Sequence, residues 1–237
     1  MLAGVESLYP MVYRTWQFAV ESSSSRSDLE SLGVPADQIT VVPPGVDLVR
    51  FAPSERSARP SFVFFAGIRR YKRPDHAIRA FALLRGRGID ASLTVLGDGP
   101  TLAELRHLAA TLGVAADVEF VGRVDETKVP ARISRAWVNV NCSVSEGWGY
   151  TILEAAACGV PTAGYSVPGV REAVGSGAAG SLAPDGDIPA LSATMERLVE
   201  TNDDLRGRCR TYAEALPWTE CARRWEGLLE SVALPAR

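Results

Sequence analysis

The chain has 237 residues, of which 46% are hydrophobic and 22% charged, and its formal net charge is −3. This composition is typical of a globular protein that buries a full core as one large domain or one domain with extensions. It excludes a basic stripe of the kind that binds nucleic acid, because the arginines are scattered along the chain. We therefore expect no nucleic-acid partner.

The first 45 residues contain one helical pattern, a short candidate strand at 18–20 and a serine run at 22–25. Charged residues and Pro10 interrupt the first apolar stretch, so we expect neither a signal peptide nor a membrane span, and a cytoplasmic location. The proline-glycine stretch at 43–45 is typical of a linker between domains. Too little chain precedes it to build a second domain of ordinary size.

From residue 61 onward, short apolar runs alternate with helical patterns. Helices are expected at 75–85, from Thr101 to Gly113, and after Pro189. Thr101 and Glu104 have the spacing of a capping box. Such alternation predicts an α/β fold with a Rossmann-like, doubly wound parallel sheet, whose ligand edge lies at the carboxyl ends of the strands. The predicted strands are 62–66, 92–96, 118–121, 137–141, 162–165 and 180–183.

The end of the chain has a different pattern from the middle. Apolar residues between Trp218 and Val232 recur at helical spacing and predict an amphipathic helix that needs a partner surface. Both ends therefore suggest a domain cut from something larger.

Metal-binding patterns are weak. The four cysteines form no CxxC pair and only two histidines accompany them, so reduced thiols and no metal site are expected. Asp185 and Asp187 match the DxD spacing of metal-dependent glycosyltransferases of another fold, but their place before a helix favours a loop or capping role. His76 and His107 fall on helical segments, which favours surface positions over catalysis.

The segment from Glu146 to Glu154 has the clearest chemical pattern in the chain. A glycine-rich turn leads into a helix that ends at Gly159, and the two carboxylates stand eight residues apart. Glycines let a ligand approach the backbone closely, and the first helical turn offers unpaired N–H groups. This arrangement predicts a site for an anion such as a diphosphate.

Several short motifs occur together, and they carry a resemblance to a known family. The chain resembles the C-terminal, donor-binding half of a family 4 retaining glycosyltransferase of the GT-B fold, over roughly residues 20–225. The matching motifs, in the family's order, are VPPGVD at 42–47 with FAP at 51–53, RRYKR at 69–73, LGDGP at 96–100, FVGRV at 120–124, SEGWG at 145–149, LEAA at 153–156 and GVP at 159–161.

The resemblance implies roles for the charged residues. Glu146 is similar to the carboxylate that contacts hydroxyls of the transferred sugar, and Glu154 to the one that binds the nucleotide ribose. Lys72 is similar to the lysine that binds the donor phosphates. A lysine in a strand-to-helix loop can neutralise charge on a leaving diphosphate.

The resemblance also implies donor contacts along the glycine-rich segment and in two loops. The family usually has Gly-Arg after its first strand, whereas this chain has Ala66-Gly67, so Arg69 or Arg70 is the expected substitute for the phosphate-binding arginine. Trp148 and Tyr150 either pack beside the donor sugar or fill the core. The implied donor-binding residues are Glu154, Gly147, Trp148, Gly149, Tyr150, Thr151, Arg69, Arg70, Val124 and Gly67.

The function implied is transfer of a hexosyl group from a UDP-, GDP- or ADP-sugar to a sugar, lipid or other acceptor, with no cofactor required. Residues 1–45 would be the remnant of an N-terminal acceptor domain with its linker, 46–205 the nucleotide-sugar domain, and 206–237 helices that pack back on the missing half. That half would supply the acceptor site and any peripheral membrane association, so the isolated chain is expected to be inactive.

Three other interpretations stay open. The first is a non-catalytic nucleotide-sugar-binding module, and the second is one subunit of a split enzyme. The third is a nucleotide-sugar 2-epimerase, which shares the two-domain architecture but is expected to need acidic and histidine groups for proton chemistry. A dehydrogenase fits less well, because the full GxGxxG fingerprint is missing.

Overall fold

The computed structural model describes residues 16–232. The strands are β1 (Phe18–Val20), β2 (Ile39–Val41), β3 (Ser61–Phe65), β4 (Ser92–Leu96), β5 (Val118–Gly122), β6 (Val138–Asn141), β7 (Thr162–Tyr165) and β8 (Gly180–Ala183). The α-helices are α1 (Ser23–Ser31), α2 (Pro74–Gly86), α3 (Leu102–Thr111), α4 (Val129–Ser134), α5 (Tyr150–Ala157), α6 (Val170–Val174), α7 (Ile188–Glu200), α8 (Asn202–Glu214) and α9 (Trp218–Val232).

Six strands form one parallel sheet in the order β5-β4-β3-β6-β7-β8. The chain builds outward from β3 through β4 to β5, and then crosses over to β6 and builds outward in the other direction. This is a doubly wound sheet with its switch point between β3 and β6, and the predicted fold class is confirmed. The strands at 92–96, 162–165 and 180–183 have their predicted bounds, and the other three shift by one residue at one or both ends.

The central strands are buried on both faces. Phe62 and Val63, neighbours in β3, are both fully inaccessible to solvent. Helix α2 packs against α3 and α7, while α5 packs against α6 and α8, so that helices cover the sheet. Parallel strands covered in this way need apolar side chains in both directions, which explains the continuous apolar runs in the sequence.

Two helix starts test the predicted capping residues. Asp187 accepts a hydrogen bond from the Ala190 N–H at the start of α7, so its predicted capping role is confirmed. The capping box predicted for α3 is wrong. The Thr101 side chain makes no capping hydrogen bond, because its backbone is not in the extended conformation of a capping residue, and Glu104 pairs with Arg70 instead.

Residues 16–41 form a small unit in which β1 and β2 pair in parallel around α1. The chain leaves this unit at the predicted linker, where Val46 donates its N–H to Leu216 O and accepts from the Trp218 N–H. A Cβ atom on Gly45 would lie 2.5 Å from the Trp218 Cα atom, so only glycine permits this crossing. The domain bounds at 45 and 205 stay predictions, and the expected lack of a signal peptide concerns residues that lie mostly outside the described range.

Candidate functional site

The site lies at the carboxyl edge of the sheet, at its switch point. Because β3 and β6 are neighbours, the loops that follow them lie side by side. The first loop carries Lys72 in a short 3-10 turn, and the second carries Glu146 just before α5. Open α/β sheets bind ligands in the crevice at this position.

Lys72 and Glu146 meet directly. The Lys72 Nζ atom lies 2.5 Å from Glu146 Oε1, and the two side chains are 16% and 13% exposed. The Ser143 hydroxyl donates to the same carboxylate oxygen at 2.6 Å, and the Asn141 amide lies 3.5 Å from it. A cation and neighbouring donors thus hold the carboxylate in place in a mostly buried position.

The backbone around Glu146 is also fixed. Its N–H donates to Pro168 O, in the loop after β7. The next residue, Gly169, has φ +73, and a Cβ atom there would lie 2.0 Å from the Glu146 carbonyl oxygen. Only glycine fits this close approach, so the β7–α6 loop holds the position of Glu146.

Glu154 lies eight residues further on, in the second turn of α5, and faces a cleft of about 670 Å³. Burial raises the pKa of Glu154 to about 7, and the nearby Glu126 adds to this rise while Arg50 opposes it. The described residues donate no hydrogen bond to its carboxylate. Glu154 is therefore a partly buried acceptor without a donor of its own.

The cleft contains four of the predicted donor-binding residues, which are Gly67, Val124, Thr151 and Glu154. It also contains charged residues that sequence reasoning missed. Arg50 donates to the Glu126 carbonyl at 2.9 Å, and its guanidinium lies 5.2 Å from the Phe51 ring centroid. The available signals were the position of Arg50 between the VPPGVD and FAP motifs, and that of Glu126 two residues after Val124.

Arg69 and Arg70 diverge in the structure. Arg70 is 85% exposed and points to Glu104 at 3.8 Å, on a separate groove between α2 and α3. Arg69 lies beside the cleft, with its Cγ atom 4.0 Å from the position of a Cβ atom on Gly67. It forms no ion pair within residues 16–232. Of the two arginines, Arg69 therefore lies nearer to the cleft.

The separate groove between α2 and α3 has a similar volume, about 660 Å³, and contains both histidines of the chain. Its arginines already have carboxylate partners. Arg70 pairs with Glu104, Arg73 with Asp185 and Arg79 with Asp75. This groove lies on the side of α2 and α3, away from the loop that carries Glu146.

The aromatic residues of the glycine-rich segment occupy different environments. Trp148 is 7% exposed and belongs to the main hydrophobic core. Tyr150 is 41% exposed, and its hydroxyl donates to Glu21 at the end of β1. The second carboxylate oxygen of Glu21 lies 3.1 Å from the position of a Cβ atom on Gly147. Of the two alternatives, Trp148 fills the core, and Gly147 and Tyr150 contact the N-terminal unit.

This sheet, with its ligand crevice between paired Lys72 and Glu146 loops, is the architecture of one half of a GT-B glycosyltransferase. The family described as "Glycosyl transferases group 1" matches residues 47–216. The chain belongs to this family.

Two curated relatives illustrate the match. The D-inositol 3-phosphate glycosyltransferase of Paenarthrobacter aurescens is 36% identical over 208 residues, which cover 80% of this chain and 51% of the relative. The GDP-mannose-dependent alpha-(1-6)-phosphatidylinositol monomannoside mannosyltransferase of Mycolicibacterium smegmatis is 33% identical over 196 residues, which cover 75% of this chain and 51% of the relative. The chain thus spans about half the length of these relatives.

Solved structures show the same fold. The Anabaena protein HepE, crystallised in complex with UDP, superposes with a TM-score of 0.83 at 18% identity, over 91% of this chain and 64% of HepE. The sucrose-phosphate synthase of Thermosynechococcus elongatus superposes with a TM-score of 0.79 at 24% identity, over 90% of this chain and 57% of the synthase.

Within residues 16–232, no helix combines the length and apolarity needed to cross a bilayer. The same range contains no group of three His, Cys, Asp or Glu side chains placed to hold a metal ion. Its four cysteines, Cys142, Cys158, Cys209 and Cys221, are free and buried.

Proposed function

We propose that this chain is the donor-binding half of a retaining family 4 glycosyltransferase, which transfers a hexosyl group from a nucleoside-diphosphate sugar. The observation that carries the proposal is the pairing of Lys72 with Glu146 at 2.5 Å, in the loops that follow β3 and β6. Glu154 faces a cleft at the same carboxyl edge of the sheet. A cation for phosphate and two acceptors for sugar hydroxyls stand at the crevice that this fold uses for ligands.

Lys72 and the start of α5 supply positive charge to a leaving diphosphate. The lysine ammonium is a compact point charge on a flexible stem, and the first turn of α5 adds N–H groups. Both stabilise negative charge that develops as the sugar–phosphate bond breaks, so the protein itself can ease the departure of the diphosphate. No metal ion or other cofactor is required by this proposal.

The two glutamates divide the recognition of the donor. Glu146 accepts hydrogen bonds from hydroxyls of the transferred sugar and orients it beside Lys72. Glu154 accepts from the ribose hydroxyls, which supply the donors that its carboxylate lacks. Gly67, Val124 and Thr151 line the same cleft near the base and ribose, and Arg69 adds charge at its rim.

Retention of configuration fits this set of groups. In such a transfer, the leaving phosphate takes the acceptor proton on the same face of the sugar, so this half needs no protein base. The names of the two relatives contain an inositol phosphate and a phosphatidylinositol monomannoside. A similar acceptor would bind mainly outside residues 16–232. We place the protein in the cytoplasm, where nucleotide sugars are made. Any membrane contact would be made by the complementary, acceptor-binding half.

Calorimetry with UDP, GDP and ADP tests the proposal. We expect one of them to bind this chain, and Lys72→Met to weaken binding at least about tenfold through the lost charge-assisted contact. Lys128 is the other lysine of the chain, lies on the exposed surface, and provides the matched control in Lys128→Met. Absence of binding to all three nucleotides at millimolar concentration would refute the proposal.

Two alternatives make different predictions. A binding module or split-enzyme subunit binds nucleotide but transfers no sugar until its partner is added. An epimerase converts the donor sugar itself when no acceptor is present. Product analysis after incubation with a nucleotide sugar, with and without the complementary half, separates the three.

A further inference from the structure

The residue after Lys72 has an unusual backbone conformation. Arg73 has φ 47 and ψ 52, in the left-handed region, and it caps α2 directly before Pro74. Among residues 16–232, Ser176 is the other non-glycine residue with positive φ. Steric crowding disfavours this conformation for an arginine, so the surrounding structure must hold it in place.

The side chain of Arg73 is anchored on the far half of the sheet. Its Nη1 atom lies 2.7 Å from Asp185 Oδ1, in the loop after β8, and the arginine side chain is 18% exposed. Its guanidinium lies 5.7 Å from the centroid of the Tyr165 ring, at the end of β7. The Tyr165 hydroxyl in turn lies 2.9 Å from His76 Nδ1 on α2.

The residue before Lys72 is anchored as well. The Tyr71 carbonyl accepts a hydrogen bond of 2.9 Å from the Val144 N–H, in the loop that carries Glu146. Lys72 therefore sits between two fixed neighbours, one tied to the β6 loop and the other to the β8 loop. Its long side chain, which has many rotamers when free, is delivered to Glu146 from this fixed turn.

We propose that Arg73 and Asp185 are positioning residues that hold the Lys72 loop and so place the ammonium group against Glu146. Resting on the proposed function, the same pair aims Lys72 at the donor diphosphate. Arg73 directly follows Lys72 in the chain and pairs with Asp185, so both residues act on the ammonium group through the backbone of this turn. This gives Asp185 a role that differs from that of Asp187, which caps α7 two residues later.

The first test reads the position of Lys72 without any nucleotide. An acetylating reagent modifies free amines, and mass spectrometry gives the rate at Lys72 relative to exposed Lys128 within the same molecule. We expect Asp185→Asn to raise this ratio about threefold or more, because the loop opens more often. Asp187→Asn is the matched control, which keeps a side-chain oxygen that can cap α7 and leaves the ratio unchanged.

Arg73→Gly separates the ion pair from the backbone conformation. Glycine adopts positive φ without steric cost, so the turn is kept while the link to Asp185 is lost. We expect the ratio to rise as it does in Asp185→Asn. If the acetylation rate of Lys72 relative to Lys128 in either variant equals that of the wild-type chain, the proposal is overturned. Thermal unfolding of each variant verifies that it is folded.

The second test uses whichever nucleoside diphosphate the wild-type chain binds. Asp185→Asn should lower its affinity about fivefold, less than the loss of Lys72 itself, while Asp185→Glu restores most of it. In a Lys72→Met background, Asp185→Asn should have no further effect, because it acts through the lysine. Equal losses in both backgrounds would overturn the proposal. If no nucleotide binds, the proposed function fails, while the amine reactivity still decides whether Arg73 and Asp185 position Lys72.

Discussion

The two sides of the site contain the same chemical group in opposite electrostatic environments. Glu146 is paired with Lys72 and accepts from the Ser143 hydroxyl, so its charge is compensated within the protein. Glu154 is buried without a hydrogen-bond donor among residues 16–232, and its pKa is raised to about 7. Under the proposed function, the first carboxylate already has its partners before a ligand binds, and the second receives its hydrogen bonds from the ligand.

The largest expected effect concerns Glu146. Glu146→Gln leaves the Lys72 ammonium mostly buried without a counter-charge, and we expect it to lower the free energy of unfolding by about 3 kcal/mol. Urea unfolding at pH 7.5 measures this. Lys72→Met with Glu146→Gln removes both charges and should recover part of the loss. An unchanged stability in Glu146→Gln would mean that the pair is solvated, and the contrast with Glu154 would disappear.

The second effect concerns Glu154, whose ionisation lowers the stability of the folded chain, whereas the charge of Glu146 raises it. Its pKa is about 7 in the folded chain and about 4.5 when exposed, so the folded state binds more protons between these values. Stability therefore falls as the pH rises from 4.5 to 8, by about 2 kcal/mol after allowance for partial exposure. Glu154→Gln should remove this part of the pH dependence, whereas Glu126→Gln, a change at an exposed carboxylate of the same cleft, should leave most of it.

The third effect follows from the proposed hydrogen bonds between the ribose of the ligand and the Glu154 carboxylate. Ribose hydroxyls donate to the ionised carboxylate, so nucleotide affinity should rise about tenfold between pH 6 and pH 8 as Glu154 ionises. Calorimetry at both pH values measures this, and Glu154→Gln provides the baseline for ionisation of the phosphates. A 2′,3′-dideoxy nucleotide, which lacks the ribose hydroxyls, should not show this tenfold rise in affinity. Equal pH dependence in the variant would show that Glu154 does not contact the ribose.

The smallest effect separates the two arginines beside Lys72. Arg69→Ala should weaken nucleoside-diphosphate binding about fivefold, because Arg69 lies at the rim of the cleft. Arg70→Ala should change affinity less than about twofold, because Arg70 is exposed and points to Glu104. The reverse order would place the phosphates on the side of α2 and α3.

The fold was predictable because its signals are local. The apolar runs at 92–96 and 162–165 became β4 and β7 without change, since buried parallel strands need apolar residues on both faces. The predicted capping box at Thr101 failed because the backbone of Thr101 is not extended, which the spacing of Thr101 and Glu104 in the sequence does not reveal.

The site was predictable only in part. Lys72, Glu146 and Glu154 lie in motifs and could be named, and the structure brings the first two together. The contacts of Arg73 with Asp185 and of Tyr150 with Glu21 join residues more than a hundred positions apart. Such contacts depend on where loops end in space, and no spacing rule in one sequence specifies them.

The crossing of residue 45 beneath Trp218 has a mechanical consequence. The β1–α1–β2 unit and helix α9 leave the sheet domain through one point, where Val46 is bonded to both Leu216 and Trp218. Hydrogen bonds also hold the unit against the sheet domain. The Tyr150 hydroxyl donates to Glu21, and the N–H groups of Ser23 and Ser24 donate to the Glu172 carboxylate. These hydrogen bonds can break and re-form, whereas the covalent connection through Gly45 and Val46 persists. A force applied to the β1–α1–β2 unit would therefore reach α9 through the backbone of Val46.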